Sequence, residues 1–401
     1  MNSIMRILLA IPFVLILAAC EEDESGFTFS RQAELVNNNG TIEQLENDFP
    51  DFLEHHKLVT GSGRTCAIGT PGGFNTKFLR CWGRFMNATQ REQVNSNLGG
   101  TQHMLSIGED HVCATLTDYG GRRIHCDGSN DFGENTDPKP AQSGDGYSGH
   151  WVDSPYVVAS GNRHNCTVDR YGLYCWGDNR QGQTDSPSIS QPKWVAAGGD
   201  TSCAIDGEDR LHCWGDNALG QTDVPANLGK VKYVDVGSEF VCAVGLEQDN
   251  ITCWGDTNWL DNPSLAPAQS YTQIVHVSVG AQHGCVVDET LAGDKSSRQI
   301  DCFGKPDDTS LLTLPNLENG EQALDEVELF TVSAGDGYSC LSASYAGWVL
   351  DEESQDWQPQ TQQGITCWGK NQEGAAKVPT KLCLGYYSDQ VEEDARTCPT
   401  Y

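Results

Sequence analysis

Residues Gly198 to Pro225 read GGDTSCAIDGEDRLHCWGDNALGQTDVP. A small-residue turn leads into Cys203 and the short apolar run Ala204-Ile205. Asp206-Gly207 is a turn signal, and a second run ends at Cys213. Trp214 and Gly215 follow, then a polar loop with Gly220 and Gln221, then Pro225. Two strand-length runs joined by a Gly/Asp turn predict a β-hairpin. This unit decides the fold because variants of it fill most of the chain.

The chain has 17 cysteines, and setting aside Cys20 leaves an even number. They fall into successive pairs: Cys66 with Cys81, Cys113 with Cys126, Cys166 with Cys175, Cys203 with Cys213, Cys242 with Cys253, Cys285 with Cys302, Cys340 with Cys367, and Cys383 with Cys398. In an oxidising compartment this count predicts disulfides. The first seven pairs share a context. A strand-like run ending in Gly precedes the first cysteine, as in Val195-Ala196-Ala197-Gly198 and Val277-Ser278-Val279-Gly280. Trp-Gly follows the second cysteine at Trp82, Trp176, Trp214, Trp254 and Trp368, while the second and sixth units carry Asp127 and Phe303 instead.

First cysteines of successive units lie 47, 53, 37, 39, 43 and 55 residues apart. Periods of this length, with several short strands each, predict propeller blades. The expected fold is therefore all-β: a seven-bladed β-propeller over residues 58–380, with one hairpin disulfide per blade. Ring closure falls to residues 26–60 and 370–401, without assignable strands. Residues 20–57 form an acidic linker and possible closure segment in which Thr41 to His56 suits a short helix, and residues 381–401 form a disulfide-bonded tail.

Hairpin geometry supports the pairing. Cys166 and Cys175 enclose Thr167-Val168-Asp169-Arg170-Tyr171-Gly172-Leu173-Tyr174, which opposes Val168 to Leu173 and the two cysteines to each other. Opposed Cα atoms in antiparallel strands sit ~4.5–5.5 Å apart, within reach of a disulfide. Strand alternation puts Cys175 and Trp176 on opposite faces, leaving the Trp to pack on a neighbouring blade. Small residues in the first strand suit the crowded axis of a propeller. The Asp-Asn-x-x-Gly-Gln loop supplies side chains that satisfy loop backbone.

The pattern Gly-x-x-x-x-Cys-Ala … Cys-Trp-Gly-Asp-Asn-x-x-Gly-Gln is clearest at Cys175 to Gln183 and Cys213 to Gln221. It resembles the repeat of the regulator of chromosome condensation family in its cysteine-rich bacterial form. The resemblance covers roughly residues 58–380 and implies a seven-bladed propeller. The family's eukaryotic founder is a nuclear exchange factor for a small GTPase, and secreted bacterial relatives include an inhibitor of β-lactamases. No residue-level motif for either activity carries over to this sequence.

The N-terminus reads as a targeting segment. Ile7 to Ala19 is an apolar run too short to span a bilayer as a helix. It ends Leu17-Ala18-Ala19-Cys20, followed at once by Glu21-Glu22-Asp23-Glu24-Ser25. This resembles the bacterial lipobox, so residues 1–19 are expected to be removed and Cys20 to be lipidated, the alternative being an ordinary secretory signal. The protein is then held to a bacterial envelope membrane, outer membrane or cell surface, by lipid alone.

Lys and Arg number 25 against 56 Asp and Glu, a formal charge of −31. Such a surface repels phosphate backbones, which argues against nucleic acid; solubility alone also explains it.

Enzyme signatures are missing. No Gly-x-Ser-x-Gly elbow or phosphate-cradling Gly-rich loop occurs, so no catalytic residue, cofactor or metal is expected. His111, His164 and His283 each sit just before a first cysteine and mark a structural repeat position. Asp206-Gly207-Glu208-Asp209 is acidic but lacks an ordered calcium ligand ladder. Asp178-Asn179 and Asp216-Asn217 read as loop bracing.

Hairpin length is the informative variable. Cysteine separation is 9, 10 and 11 in units three to five, but 15, 17 and 27 in units one, six and seven. Ring closure makes the last three neighbours, so their hairpins rise together. The longest holds Tyr345, Trp348 and Trp357, candidate partner-binding residues of a monomer; the bland alternative folds them over the rim. Asp127 to Pro155, with Tyr147 and Trp151, reads as a long mobile loop. Three functions remain open: protein binding, glycan binding on the aromatics, and a channel enzyme such as a lyase or hydrolase.

Overall fold

The computed structural model describes residues 58–69, 78–83, 101–118, 121–136, 155–169, 171–268, 270–292, 295–306, 309–313, 327–350 and 357–370. All lie in one unit, Leu35–Tyr401. Cys20, Thr41 to His56, Tyr147, Trp151, Cys383 and Cys398 lie outside the described residues.

Twenty-one strands form seven separate three-stranded antiparallel sheets, each from consecutive sequence. Blade 1 holds β1 (Leu58–Gly61), β2 (Arg64–Gly69) and β3 (Phe78–Gly83); blade 2 holds β4 (Thr101–Ile107), β5 (His111–Asp118) and β6 (Gly121–Gly128). Blade 3 holds β7 (Val157–Ser160), β8 (His164–Asp169) and β9 (Gly172–Gly177); blade 4 holds β10 (Trp194–Gly198), β11 (Thr201–Ile205) and β12 (Leu211–Gly215). Blade 5 holds β13 (Val231–Val236), β14 (Phe240–Gly245) and β15 (Ile251–Gly255); blade 6 holds β16 (Ile274–Val279), β17 (His283–Ala292) and β18 (Lys295–Gly304). Blade 7 holds β19 (Val327–Ala334), β20 (Tyr338–Leu350) and β21 (Trp357–Gly369). The one helix among the described residues is a 3-10 turn, Thr309–Leu312.

Every blade carries its disulfide between directly opposed residues of its second and third strands. The seven bonds are those expected from succession along the chain. Their Cα atoms are 4.0–4.1 Å apart, closer than the sequence reading assumed. That places each bond at a narrow, non-hydrogen-bonded pair of the ladder. Closing loops of 9 to 27 residues, each bond contributes ~2.5–3.5 kcal/mol in the chain-entropy picture.

The core lies between blade faces. Blade 1 meets blade 7 in a cluster of Leu58, Ala67, Trp82, Tyr338, Cys340 and Ile365. Ring closure uses side chains: the Thr60 backbone N–H donates to Ser333 Oγ at 2.9 Å, and Tyr338 O–H donates to the Arg64 carbonyl. Among the described residues, no strand from a chain end completes another blade.

Two recurring glycines have separate causes. The glycine after Trp, Asp127 or Phe303 has positive φ in all seven blades, from 102° at Gly369 to 126° at Gly128, a region that L side chains avoid. The glycine at or just after the end of the first strand is required by close approach. A Cβ on Gly198 would lie 1.9 Å from the Val236 carbonyl oxygen, and one on Gly237 2.0 Å from that of Gly280.

Candidate functional site

Antiparallel order fixes what each end of the ring carries. The turns between first and second strands lie at one end, beside the loops that leave the third strands. For example, Asp178 N–H donates to the Arg163 carbonyl and Asp216 N–H to that of Asp200. The hairpins between second and third strands lie at the other end.

At the turn end, the polar loops bind successive blades together. Trp214 Nε1–H donates to the Gln183 carbonyl at 2.9 Å, Trp254 to Gln221 at 2.7 Å, Trp176 to Glu134 at 3.1 Å and Trp368 to Leu311 at 3.1 Å. Each Trp thus reaches the loop of the preceding blade, as its position opposite the cysteine predicts. The loop is held open by its own side chains. Gln221 Oε1 accepts from Leu219 N–H, Asp216 Oδ1 from Ala218 N–H and Asn217 Oδ1 from Thr222 N–H. Asp178, Asn179 and Gln183 do the same in blade 3.

Blade 2 contains the same loop, ordered at the start of the Asp127 to Pro155 stretch that is expected from sequence to be a mobile loop. Asn130 Oδ1 accepts from Asn135 N–H, and Glu134 Oε2 from Phe132 N–H. The signal was Asn130-x-x-Gly133-Glu134, with Glu in place of Gln. In blade 6, Phe303 replaces Trp and has no N–H to place. Its ring packs against that of Trp259 in the blade 5 loop, centroids 5.8 Å apart.

The first strands are linked along the channel. Where this strand carries Ser or Asp opposite the first cysteine, that side chain accepts an N–H from the next blade. Ser106 accepts from Ser160, Asp235 from Val279 and Ser278 from Ala334. These bonds satisfy edge N–H groups that no strand covers.

The repeat histidines form a third set of links. His111 Nε2 is 2.8 Å from Asn165 Oδ1, His164 Nε2 2.8 Å from Ser202 Oγ and His283 Nε2 2.7 Å from Ser339 Oγ. Each partner is the residue just before the first cysteine of the following blade, and Tyr338 reaches Thr65 in the same way. Where that following residue is Val112, Val241 or Gly284, the preceding blade carries Arg64, Thr201 or Phe240. There the polar groups bond elsewhere, Arg64 to the Glu109 carbonyl and Asp110, and Thr201 to the Asp216 carbonyl, so that these groups too are hydrogen-bonded.

Asp206 is committed to its own turn. It accepts from Glu208 N–H, Arg210 N–H, Arg210 Nε–H and His212 Nε2. Burial would raise its pKa, but these donors outweigh burial and hold it down at about 2. Its oxygens are used by the fold rather than offered to an ion.

Charge is uneven between the two ends. Among the described residues of blades 2 to 5, the turns and post-strand loops at this end carry acids that include Glu109, Asp110, Asp178, Asp200, Asp216 and Glu239, against the arginines Arg163 and Arg180. Both arginines are engaged: Arg163 pairs with Glu109, Arg180 with Asp178, and both stack over Phe132.

At the hairpin end, blades differ in reach. In blade 4 the ladder runs two residues past Cys203, to Ile205 paired with Leu211. In blade 7 it runs ten past Cys340, to Leu350 paired with Trp357, or roughly 30 Å at strand rise. Blade 6 extends to Ala292 paired with Lys295. Tyr345 pairs with Gln362, and Trp348 with Pro359, so all three candidate aromatics sit on one ladder. Blade 2 reaches Asp118 paired with Gly121; residues 70–77 lie outside the described part. The described large apolar side chains most open to solvent are Tyr171 and Leu219, 62% and 45% exposed; Tyr171 marks the blade 3 hairpin.

Residues 195–221 match the regulator of chromosome condensation (RCC1) repeat. The chain is similar in structure to the ectodomain of the receptor kinase CR4 from Physcomitrella patens. Identity there is 17% over 78% of this chain and 72% of that one, with TM-score 0.50. It is also similar to Prp20p from Saccharomyces cerevisiae, a protein whose structure was described with its binding to Gsp1p and histones. There identity is 15% over 74% of this chain and 83% of that one, with TM-score 0.50. No curated protein sequence matches the chain. At these identities the likeness is one of fold: an RCC1-type seven-bladed propeller, with the repeat match in blade 4.

Proposed function

We propose that the protein is a lipid-anchored binding scaffold of the bacterial envelope, and that it engages a protein partner through the hairpin end of blades 6 and 7. The observation that carries this reading is the reach of the β20–β21 ladder past its disulfide, compared with blade 4. Blades 3 to 5 carry short hairpins that close the fold, and the added length in blade 7 lies beyond what the fold requires. Long connections on a rigid scaffold are where binding residues concentrate. Tyr345, Trp348 and Trp357 supply aromatic residue types enriched at interface anchors. Prp20p, of similar fold, binds proteins, which supports using such a ring as a docking platform. Seven disulfides suit an oxidising, extracytoplasmic compartment. Removal of residues 1–19 and lipidation of Cys20 would then hold the ring at a membrane surface, as a monomer.

The test is affinity capture from the native cell envelope, with wild-type protein and a Trp348→Ala/Trp357→Ala variant. Retention of a protein by wild type and its loss from the variant, at unchanged melting temperature, supports the reading. Equal retention by both puts the site elsewhere. A glycan array separates the second reading, in which the same aromatics form a sugar platform: a protein binder gives no array signal.

A further inference from the structure

Blade 3 is held on both sides by histidine, alone among the blades with described junctions. His111 of blade 2 bonds into blade 3 at Asn165, and His164 of blade 3 bonds into blade 4 at Ser202. The hydrogen positions follow from the neighbours. Asn165 Nδ2 donates to the Glu134 carbonyl, so Oδ1 is its acceptor and His111 Nε2 carries the proton. Ser202 Oγ donates to the Gln183 carbonyl, so His164 Nε2 donates to it. In both rings Nδ1 is then the unprotonated nitrogen. Both Nδ1 atoms are buried and have no hydrogen-bond partner. Each is pressed against a turn glycine: a Cβ on Gly108 would lie 2.5 Å from His111 Nδ1, and one on Gly161 2.6 Å from His164 Nδ1. Carbonyl oxygens lie nearby, of Gly161 beside the first and Gly199 beside the second, but neither ring nitrogen is hydrogen-bonded to one. A second proton creates a buried N–H without a partner together with a buried charge, each costly.

We propose that the two junctions flanking blade 3 are an acid-sensitive seam, which loosens when His111 and His164 take up protons and releases blade 3 from its neighbours while the disulfides keep each blade intact. The groups facing these rings do not rescue the charge. Burial dominates at His111, opposed by Asn165, Glu134 and Asp110 and reinforced by Arg64, and holds its pKa below the usual value. At His164 burial again leads, reinforced by His111 and opposed by Asp178, and the pKa is held at about 3. The sign is that of a depressed histidine. The closed junction is stable above the unfolded value of about 6.5 and weakens as pH falls from there toward the folded value. The junction between blades 4 and 5 has Thr201 and Val241 at these positions and carries no such group. That between blades 6 and 7 carries His283, also buried with Nδ1 unpartnered and its pKa held at about 4, and weakens in the same direction on one side of blade 7 only.

The test is hydrogen exchange with mass spectrometry on the full mature chain at pH 7.5 and pH 5.0, corrected for the intrinsic pH dependence of exchange. Protection within 157–177 is expected to fall at pH 5.0 by roughly 30-fold through His164, with a further fall in the same direction from His111. In a His111→Gln/His164→Gln variant, whose amides can donate to the same acceptors, that fall should be absent. Asp235, which burial pushes up to about 7, moves the blade 5–6 junction in the opposite direction, so 231–255 should hold or gain protection. Unchanged protection in 157–177 of the wild type overturns the proposal, as does an equal fall in every blade. These wild-type outcomes decide even if the variant does not fold. A folded variant with an undiminished fall overturns it also.

Discussion

Alanine at two glycines of the same repeat position should have very different costs. Gly198 and Gly61 each end the first strand of a blade, and neither needs positive φ. A Cβ on Gly198 meets the Val236 carbonyl oxygen at 1.9 Å, that carbonyl carbon at 2.6 Å and the Gly237 oxygen at 2.9 Å. All three are backbone atoms of blade 5, so no side chain can rotate away. The first strands of blades 4 and 5 must separate by more than about 1 Å to restore contact, straining packing around Ala196 and Val234. Overpacking of this kind costs ~1–3 kcal/mol, and the backbone target puts Gly198→Ala at the upper end, ~3 kcal/mol. At Gly61 the first contact is Ile107 Cγ2 at 3.2 Å, a methyl that can shift. Gly61→Ala should cost less than ~1 kcal/mol. Denaturant unfolding with disulfides intact measures both, and coincidence of two spectroscopic probes checks that the transition is two-state. Equal losses, or no loss at Gly198, would refute the claim that blade spacing at the axis sets this glycine.

Other consequences are smaller. Trp214→Phe keeps the ring but removes the N–H given to the Gln183 carbonyl, and should lower stability by ~1 kcal/mol; Trp254→Phe should match it, measured the same way. Asp206→Asn should reduce acid sensitivity below pH 4. The Asp206 carboxylate is depressed to about 2, so its contribution is present above the unfolded value and is lost as pH falls from about 4 toward 2. Unfolding curves across that range should converge for wild type and variant at the acid end.

The sequence shows the ring because its signals are local. Cysteine spacing, Trp-Gly and the Gly-terminated first strand each follow from one hairpin's geometry, and succession along the chain suffices to pair the sulfurs. Relations between blades are harder to read. Nothing within blade 3 says that His164 is matched to Ser202, since the partner stands 38 residues away and only the blade-to-blade stacking aligns them. The blade 2 loop was missed because Glu134 replaces Gln while keeping its carbonyl role. The candidate binding hairpin was legible as length alone: separation between Cys340 and Cys367 predicts a long excursion, and the structure adds that it continues as a paired ladder to Leu350 and Trp357.

The central claim is a ring of seven blades, each closed by its own sulfur bridge. Peptide mapping of the purified protein under non-reducing conditions tests it most directly. The account predicts cross-linked peptides joining Cys66 to Cys81, Cys203 to Cys213 and the five equivalent neighbours. Free thiols at these positions, or bridges between cysteines of different blades, would contradict it.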